Sequence, residues 1–192
     1  PPASPFHVEA LPEEAAREAV RLARRLALPL EGYTADGGFF VEGDSPLLEA
    51  HQRLLGVEAE GADLLRLSSP LVRLQVLAEG EAPVERLLEA LPRGLQAHVA
   101  ESPKMPGVRF VSLTKEGVSK LSAARLVAEA YGLPLSECAM VGDGENDLEL
   151  LRAVGVGIAM GNAPPSVKRA AQRVVAPVEA CGLAEALRLL RG

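Results

Sequence analysis

The stretch Ala139-Met140-Val141-Gly142-Asp143-Gly144-Glu145-Asn146-Asp147-Leu148 runs a short apolar segment into a glycine-flanked pair of carboxylates and then into the start of a helix. An apolar strand that ends in Gly-Asp-Gly and re-enters as a helix is how a parallel α/β sheet presents a binding loop at the carboxyl end of a strand. The same rhythm extends to both sides. Strands are predicted near Arg109 to Leu113, Cys138 to Val141, Val156 to Met160 and Arg173 to Ala176. They alternate with helices over Ser119 to Tyr131, Glu145 to Val154, Pro165 to Ala171 and Gly182 to Leu190. Short connections and near-continuous apolar strands imply βαβ units, and hence an α/β fold with a partial doubly wound parallel (Rossmann-like) core.

Before this alternation the pattern is mixed. Leu11 to Ala27 places Ala15, Ala19, Leu22, Ala23 and Leu26 at helical spacing, with Pro12 near the first turn and Glu13 and Glu14 favourable to the dipole. Tyr33, Phe39, Phe40 and Val41 flank Asp36-Gly37-Gly38, which reads as a hairpin turn. Helices are predicted over Ser45 to Leu55 and Pro83 to Leu91, and strands over Leu71 to Leu77 and Leu95 to Glu101. The chain thus divides near residue 106, with residues 1–106 an α+β module and residues 107–192 the parallel core.

Composition narrows the function classes. The 192 residues are 48% hydrophobic and 24% charged, a balance that suits a soluble globular protein of one large or two small domains. Aromatics make up 3% and Trp is absent, so the core rests on Leu, Val and Ala, and stacking platforms for bases are not expected. A formal charge of -6 gives no basic field of the kind that drives nucleic-acid binding. No window reaches the roughly 18 uninterrupted apolar residues of a membrane span, and the N-terminus has no signal-like segment, so no membrane partner is expected. Cys138 and Cys181 have no CxxC spacing, which fits a reducing, cytoplasmic location. His7, His51 and His98 are scattered without ligand spacing, which argues against zinc.

The chemistry concentrates in two places. Asp143 and Asp147, four residues apart with no base between them, repel each other unless a hard cation sits among them, and magnesium fits an all-oxygen pair. Asp143, first out of the strand, is placed to coordinate the metal, Asp147 to bind it or one of its waters, and Asn146 to offer an amide to a phosphate oxygen. The competing structural reading is a helix cap with Asp147 favoured by the dipole. The flanking apolar strand, the apolar helix that follows, and a second strand closing in Ala159-Met160-Gly161-Asn162-Ala163 weigh against that reading. Gly117-Val118-Ser119-Lys120 is the second place. A lysine in the first turn of a helix is badly placed for the dipole and asks for a nearby anion.

Val118-Ser119-Lys120, Gly142-Asp143-Gly144-Glu145-Asn146-Asp147, Ala159 to Ala163, Val167-Lys168 and Gly182-Leu183 follow one another in an order and spacing that resembles the carboxyl half of a Cof-type phosphatase of the haloacid dehalogenase superfamily. The resemblance is specific over the last eighty or so residues. It implies that Lys120 steadies the phosphorylated nucleophile, that Asp143 binds Mg2+, that Asp147 supports the metal shell, and that Asn146 lies near the phosphate. It implies catalytic roles for Lys120, Asp143 and Asp147, and a small phosphorylated metabolite such as a sugar phosphate as substrate. The 1–106 module is similar, in pattern and position only, to the family's inserted cap, which selects the substrate.

Such phosphatases carry their nucleophile in an Asp-x-Asp-Gly-Thr segment after the first strand, and no such segment occurs in this sequence. Asp36-Gly37-Gly38 lacks the second Asp and the preceding apolar strand. The expectation is therefore Mg-dependent hydrolysis of a phosphomonoester through an aspartyl-phosphate whose aspartate lies outside these residues. Two explanations lead: a truncated chain or an incompletely described longer one. A naturally short protein that dimerises to cover the gap is the third. The alternative function is a catalytically incomplete phosphate- or metal-binding interaction protein of the same descent.

Overall fold

The computed structural model describes residues 6–191. It divides into two compact units, 1–117 and 118–192.

In the first unit, helix α1 (Glu13–Arg25) starts after Pro12, carries Glu13 and Glu14 in its first turn and Arg24 and Arg25 in its last, and so suits the dipole at both ends. Strands β1 (Leu30–Thr34) and β2 (Phe39–Glu42) form the expected hairpin around the Asp36-Gly37-Gly38 turn. Helix α2 (Pro46–Leu55) is capped by the Ser45 hydroxyl, which accepts from the Leu47 amide, and it ends at Gly56 in the left-handed region. Strands β3 (Glu60–Gly61) and β4 (Leu71–Glu79), helix α3 (Ala82–Glu89), and strands β5 (Leu95–Ser102) and β6 (Met105–Lys115) complete the unit.

The six strands form one sheet in the order β3-β2-β1-β4-β6-β5, antiparallel except for β2 with β3. One face carries Leu30, Leu74, Val76, Val111 and Leu113 and is covered by the apolar side of α1 and by Val84 and Leu87 of α3. On the opposite face Leu48 of α2 packs with Val41, Leu77, Val108 and Phe110. The same face continues into polar side chains, described below.

This arrangement corrects the division predicted near residue 106. The strand over 109–113 does not open the parallel core. It lies inside the antiparallel sheet between β4 and β5, and the boundary falls after Gly117. The reason is the connection. Ser102 pairs with Met105, and two intervening residues permit only an antiparallel hairpin.

The second unit contains helix α4 (Lys120–Ala130), strand β7 (Ala139–Gly142), a 3-10 turn (Glu145–Asp147) running into helix α5 (Leu148–Ala153), strand β8 (Val156–Ala159), helix α6 (Pro165–Ala170), strand β9 (Arg173–Val174) and helix α7 (Gly182–Arg191). Its sheet is parallel, in the order β7-β8-β9. Leu151 of α5 and Val167 of α6 pack on one face with Ala159, while Ala186 of α7 packs on the other with Ile158 and Val175. Helices on both faces of a parallel sheet make this the doubly wound, Rossmann-like architecture expected from the alternation.

The connections of this unit are tight. A Cβ at Gly155 would stand 1.8 Å from the Ser136 carbonyl oxygen, and both are backbone-bound positions that cannot swing aside. Gly155→Ala is therefore expected to destabilise the unit by about 1–3 kcal/mol, read as a lowered urea midpoint with little change in m. A midpoint within error of the parent would show that the 134–138 segment shifts freely. Among the described residues no helix is long and apolar enough to cross a membrane, and Cys138 and Cys181 are free thiols.

Candidate active site

The site forms at the carboxyl end of β7, where the chain leaves the sheet through Gly142-Asp143-Gly144. Asp147 is its organising residue. Its carboxylate is almost fully buried, and Oδ2 accepts the backbone N–H groups of both Asp143 and Gly144, each at 3.0 Å. Oδ1 accepts from Lys120 Nζ at 2.5 Å. Burial pushes the Asp147 carboxyl up, but the Lys120 ammonium and the two amides outweigh it and hold the group below its ordinary value. Gly142 is required by this packing, because a Cβ there would lie 2.6 Å from Asp147 Oδ2.

Lys120 reaches the loop from the first turn of α4. Ser119 and Ser122 cap that turn reciprocally: the Ser119 amide donates to Ser122 Oγ at 2.8 Å and the Ser122 amide to Ser119 Oγ at 3.1 Å. The cap fixes the helix start, and the lysine finds in Asp147 the anion that its position against the dipole demands. Its Nζ also lies 3.5 Å from Asn146 Oδ1. The structure thus brings Lys120, Asn146 and Asp147 together.

Asp143 points elsewhere. Its side chain is exposed, and Oδ2 accepts from Asn162 Nδ2 at 3.1 Å. Asn162 Oδ1 in turn accepts from the Val178 amide at 3.1 Å, which ties the β7 loop to the loop after β9. The role of Asn162 was missed in the sequence, although its place just after β8 is the same carboxyl-end position that drew attention to Asp143. Ser166 was also missed; its hydroxyl donates to Glu145 Oε1 at 3.1 Å.

The two acids therefore differ in a way the spacing did not reveal. Their repulsion is relieved by Lys120 and the loop amides, with Asp147 already using both oxygens, whereas Asp143 keeps a carboxylate with no cationic partner among the described residues. No group of three or more His, Cys, Asp or Glu able to hold a metal occurs among the described residues. The donor chemistry nevertheless fits Mg2+, which is held by one or two carboxylates together with waters and substrate oxygens. Asp143 would be its ligand and Asp147 the group that fixes the loop.

A model of the family described as haloacid dehalogenase-like hydrolase matches residues 5–187. The chain belongs to that family. This haloacid dehalogenase-like chain is 31% identical over 137 residues to an HMP-PP phosphatase of Cronobacter sakazakii, covering 69% of this chain and 48% of that protein. It is 41% identical over 73 residues to a phosphoglycolate phosphatase of Archaeoglobus fulgidus, covering 38% of this chain and 33% of that protein. Among solved structures, a phosphatase of the haloalkanoate enzyme superfamily from Bacteroides thetaiotaomicron matches with a TM-score of 0.79 and 27% identity, covering 95% of this chain and 66% of that one. The chain spans less than half the length of these two curated relatives.

Proposed function

We propose that this chain is the cap and the carboxyl half of the core of a Mg-dependent phosphatase acting on a small phosphomonoester in the cytoplasm. The observation that carries the reading is the Lys120–Asp147 pair locked to the Asp143-Gly144 loop at the carboxyl end of β7. Residues 1–117 take the part of the substrate-selecting cap and residues 118–192 that of the core. The nucleophile is an aspartate outside these residues, and it forms the aspartyl-phosphate.

Within the chain, Lys120 supplies a fixed positive charge for the transferring phosphoryl group, held in place by Asp147. Asn146 orients a phosphate oxygen. Asp143, steadied by Asn162, supplies the carboxylate for Mg2+, which when bound neutralises phosphate charge. The relatives' names, for phosphatases of phosphoglycolate and of HMP-PP, support a small phosphorylated metabolite as substrate.

The test is hydrolysis of p-nitrophenyl phosphate by the full-length protein with Mg2+ and after EDTA. Metal-dependent turnover is expected, with Lys120→Ala lowering it about 10²–10³-fold when measured at a temperature where the variant is fully folded, since the buried Asp147 carboxylate loses its cation and some stability goes with it. Turnover that survives Lys120→Ala would overturn the site, and a full-length protein without turnover would make this a binding protein.

A further inference from the structure

One face of the first unit's sheet is polar where a sheet face is usually apolar or solvated. Tyr33 stands between two neighbouring strands, opposite Phe39 on β2 and opposite Arg73 on β4. The Phe39 ring stacks on it at 4.9 Å, and the Arg73 guanidinium lies 3.9 Å from its centroid. Clamped in this way, the phenol donates to Glu31 Oε2 at 2.9 Å, and burial together with the Glu31 charge pushes it up so that it stays a donor. Ser112 and Gln75, which hydrogen-bond at 3.0 Å, continue the polar row across β4 and β6.

Arg73 is the unresolved member. The carboxylate nearest in register, Glu31, already receives His51, Tyr33 and Gln75. Arg73 forms no ion pair with any described carboxylate, and its Nε is the single buried side-chain nitrogen or oxygen without a partner among the described residues. A buried donor without an acceptor is costly and calls for an explanation such as a missing ion. A guanidinium fork held over an aromatic ring and without an ion-pair partner is an arrangement that receives a carboxylate or phosphate.

We propose that this face is a binding site for a small organic anion, with Arg73 as the recognising cation and the Tyr33–Phe39 pair as the rigid platform behind it. The site lies wholly within the first unit and stands apart from the phosphatase reading. It would select ligands bearing a carboxylate or phosphate on a compact skeleton.

The test is titration of the isotopically labelled full-length protein with malonate and, separately, inorganic phosphate in EDTA, following backbone amide shifts. Saturable shifts are expected at Tyr33, Arg73, Gln75 and Ser112, and whichever anion binds tighter identifies the group received. Arg73→Met is expected to weaken binding at least tenfold, while Lys120→Ala leaves it unchanged. Arg73→Lys, which keeps the charge and the fold but loses the fork, is expected to weaken it at least threefold. Shifts confined to the residues around Lys120 and Asn146, or equal affinity in the parent and Arg73→Lys, would overturn the proposal.

Discussion

Asp147→Ala in the full-length protein is expected to abolish most turnover, about 10²–10³-fold, and to destabilise the second unit by about 2–3 kcal/mol. The argument is one of counting donors. The buried carboxylate receives two backbone amides on one oxygen and the Lys120 ammonium on the other. Removing it leaves the amides of Asp143 and Gly144 without their acceptor and lets Lys120 swing into solvent, its own side chain being 48% exposed. Asp147→Asn should do little better. A carboxamide has a single acceptor oxygen, so its NH2 must face either the ammonium or the amide pair, donor against donor. Turnover of p-nitrophenyl phosphate and urea unfolding, measured on both variants, check the two effects separately. An asparagine variant with parental turnover would mean that Asp147 organises nothing the chemistry uses.

Glu31→Ala is expected to give the largest loss of stability in the chain, about 3–5 kcal/mol from the first unit. Glu31 is fully buried on β1, and its carboxylate is held by His51 Nδ1 at 2.6 Å, the Tyr33 hydroxyl at 2.9 Å and Gln75 Nε2 at 3.2 Å. His51 and Gln75 are themselves buried, so deleting the carboxylate strands two donors away from water and leaves a third, the half-buried Tyr33 hydroxyl, without its acceptor. The double variant Glu31→Leu/His51→Leu removes the charge together with its main partner, and most of the loss is expected to be recovered. Urea midpoints for the parent, the single and the double variant decide the matter. A single variant within about 1 kcal/mol of the parent would show that the network is open to water.

Both predictions rest on contacts that sequence reasoning could not supply. Glu31 sits in a strand with Leu30 and Gly32 on the other face, and by alternation alone it reads as a solvent-facing residue. It is buried because α2 lays His51 over that face, from twenty residues away in the chain. Lys120 and Asp147 were both singled out, one for its awkward place against a helix dipole and the other as half of an acid pair. That each answers the other, across 27 residues, only packing reveals. The same limit explains the misplaced boundary. The alternation of β6 is identical whether its partner runs parallel or antiparallel, and the two-residue turn at Pro103-Lys104 was the one local signal of direction.

By itself the sequence determined whatever is decided within a few residues. The capped helices, the Asp36-Gly37-Gly38 hairpin, the βαβ rhythm after residue 118 and the glycine-flanked loop holding Asp143 all follow from local propensity, period and turn chemistry. The tertiary structure alone decided which faces meet. It turned an acid pair into one exposed carboxylate bound to Asn162 and one buried anchor for Lys120, and it left Arg73 on a polar sheet face without an ion-pair partner among the described residues. The physical reason is that burial and charge pairing belong to the surfaces brought together by folding, and a one-dimensional pattern carries no record of which surface lies opposite.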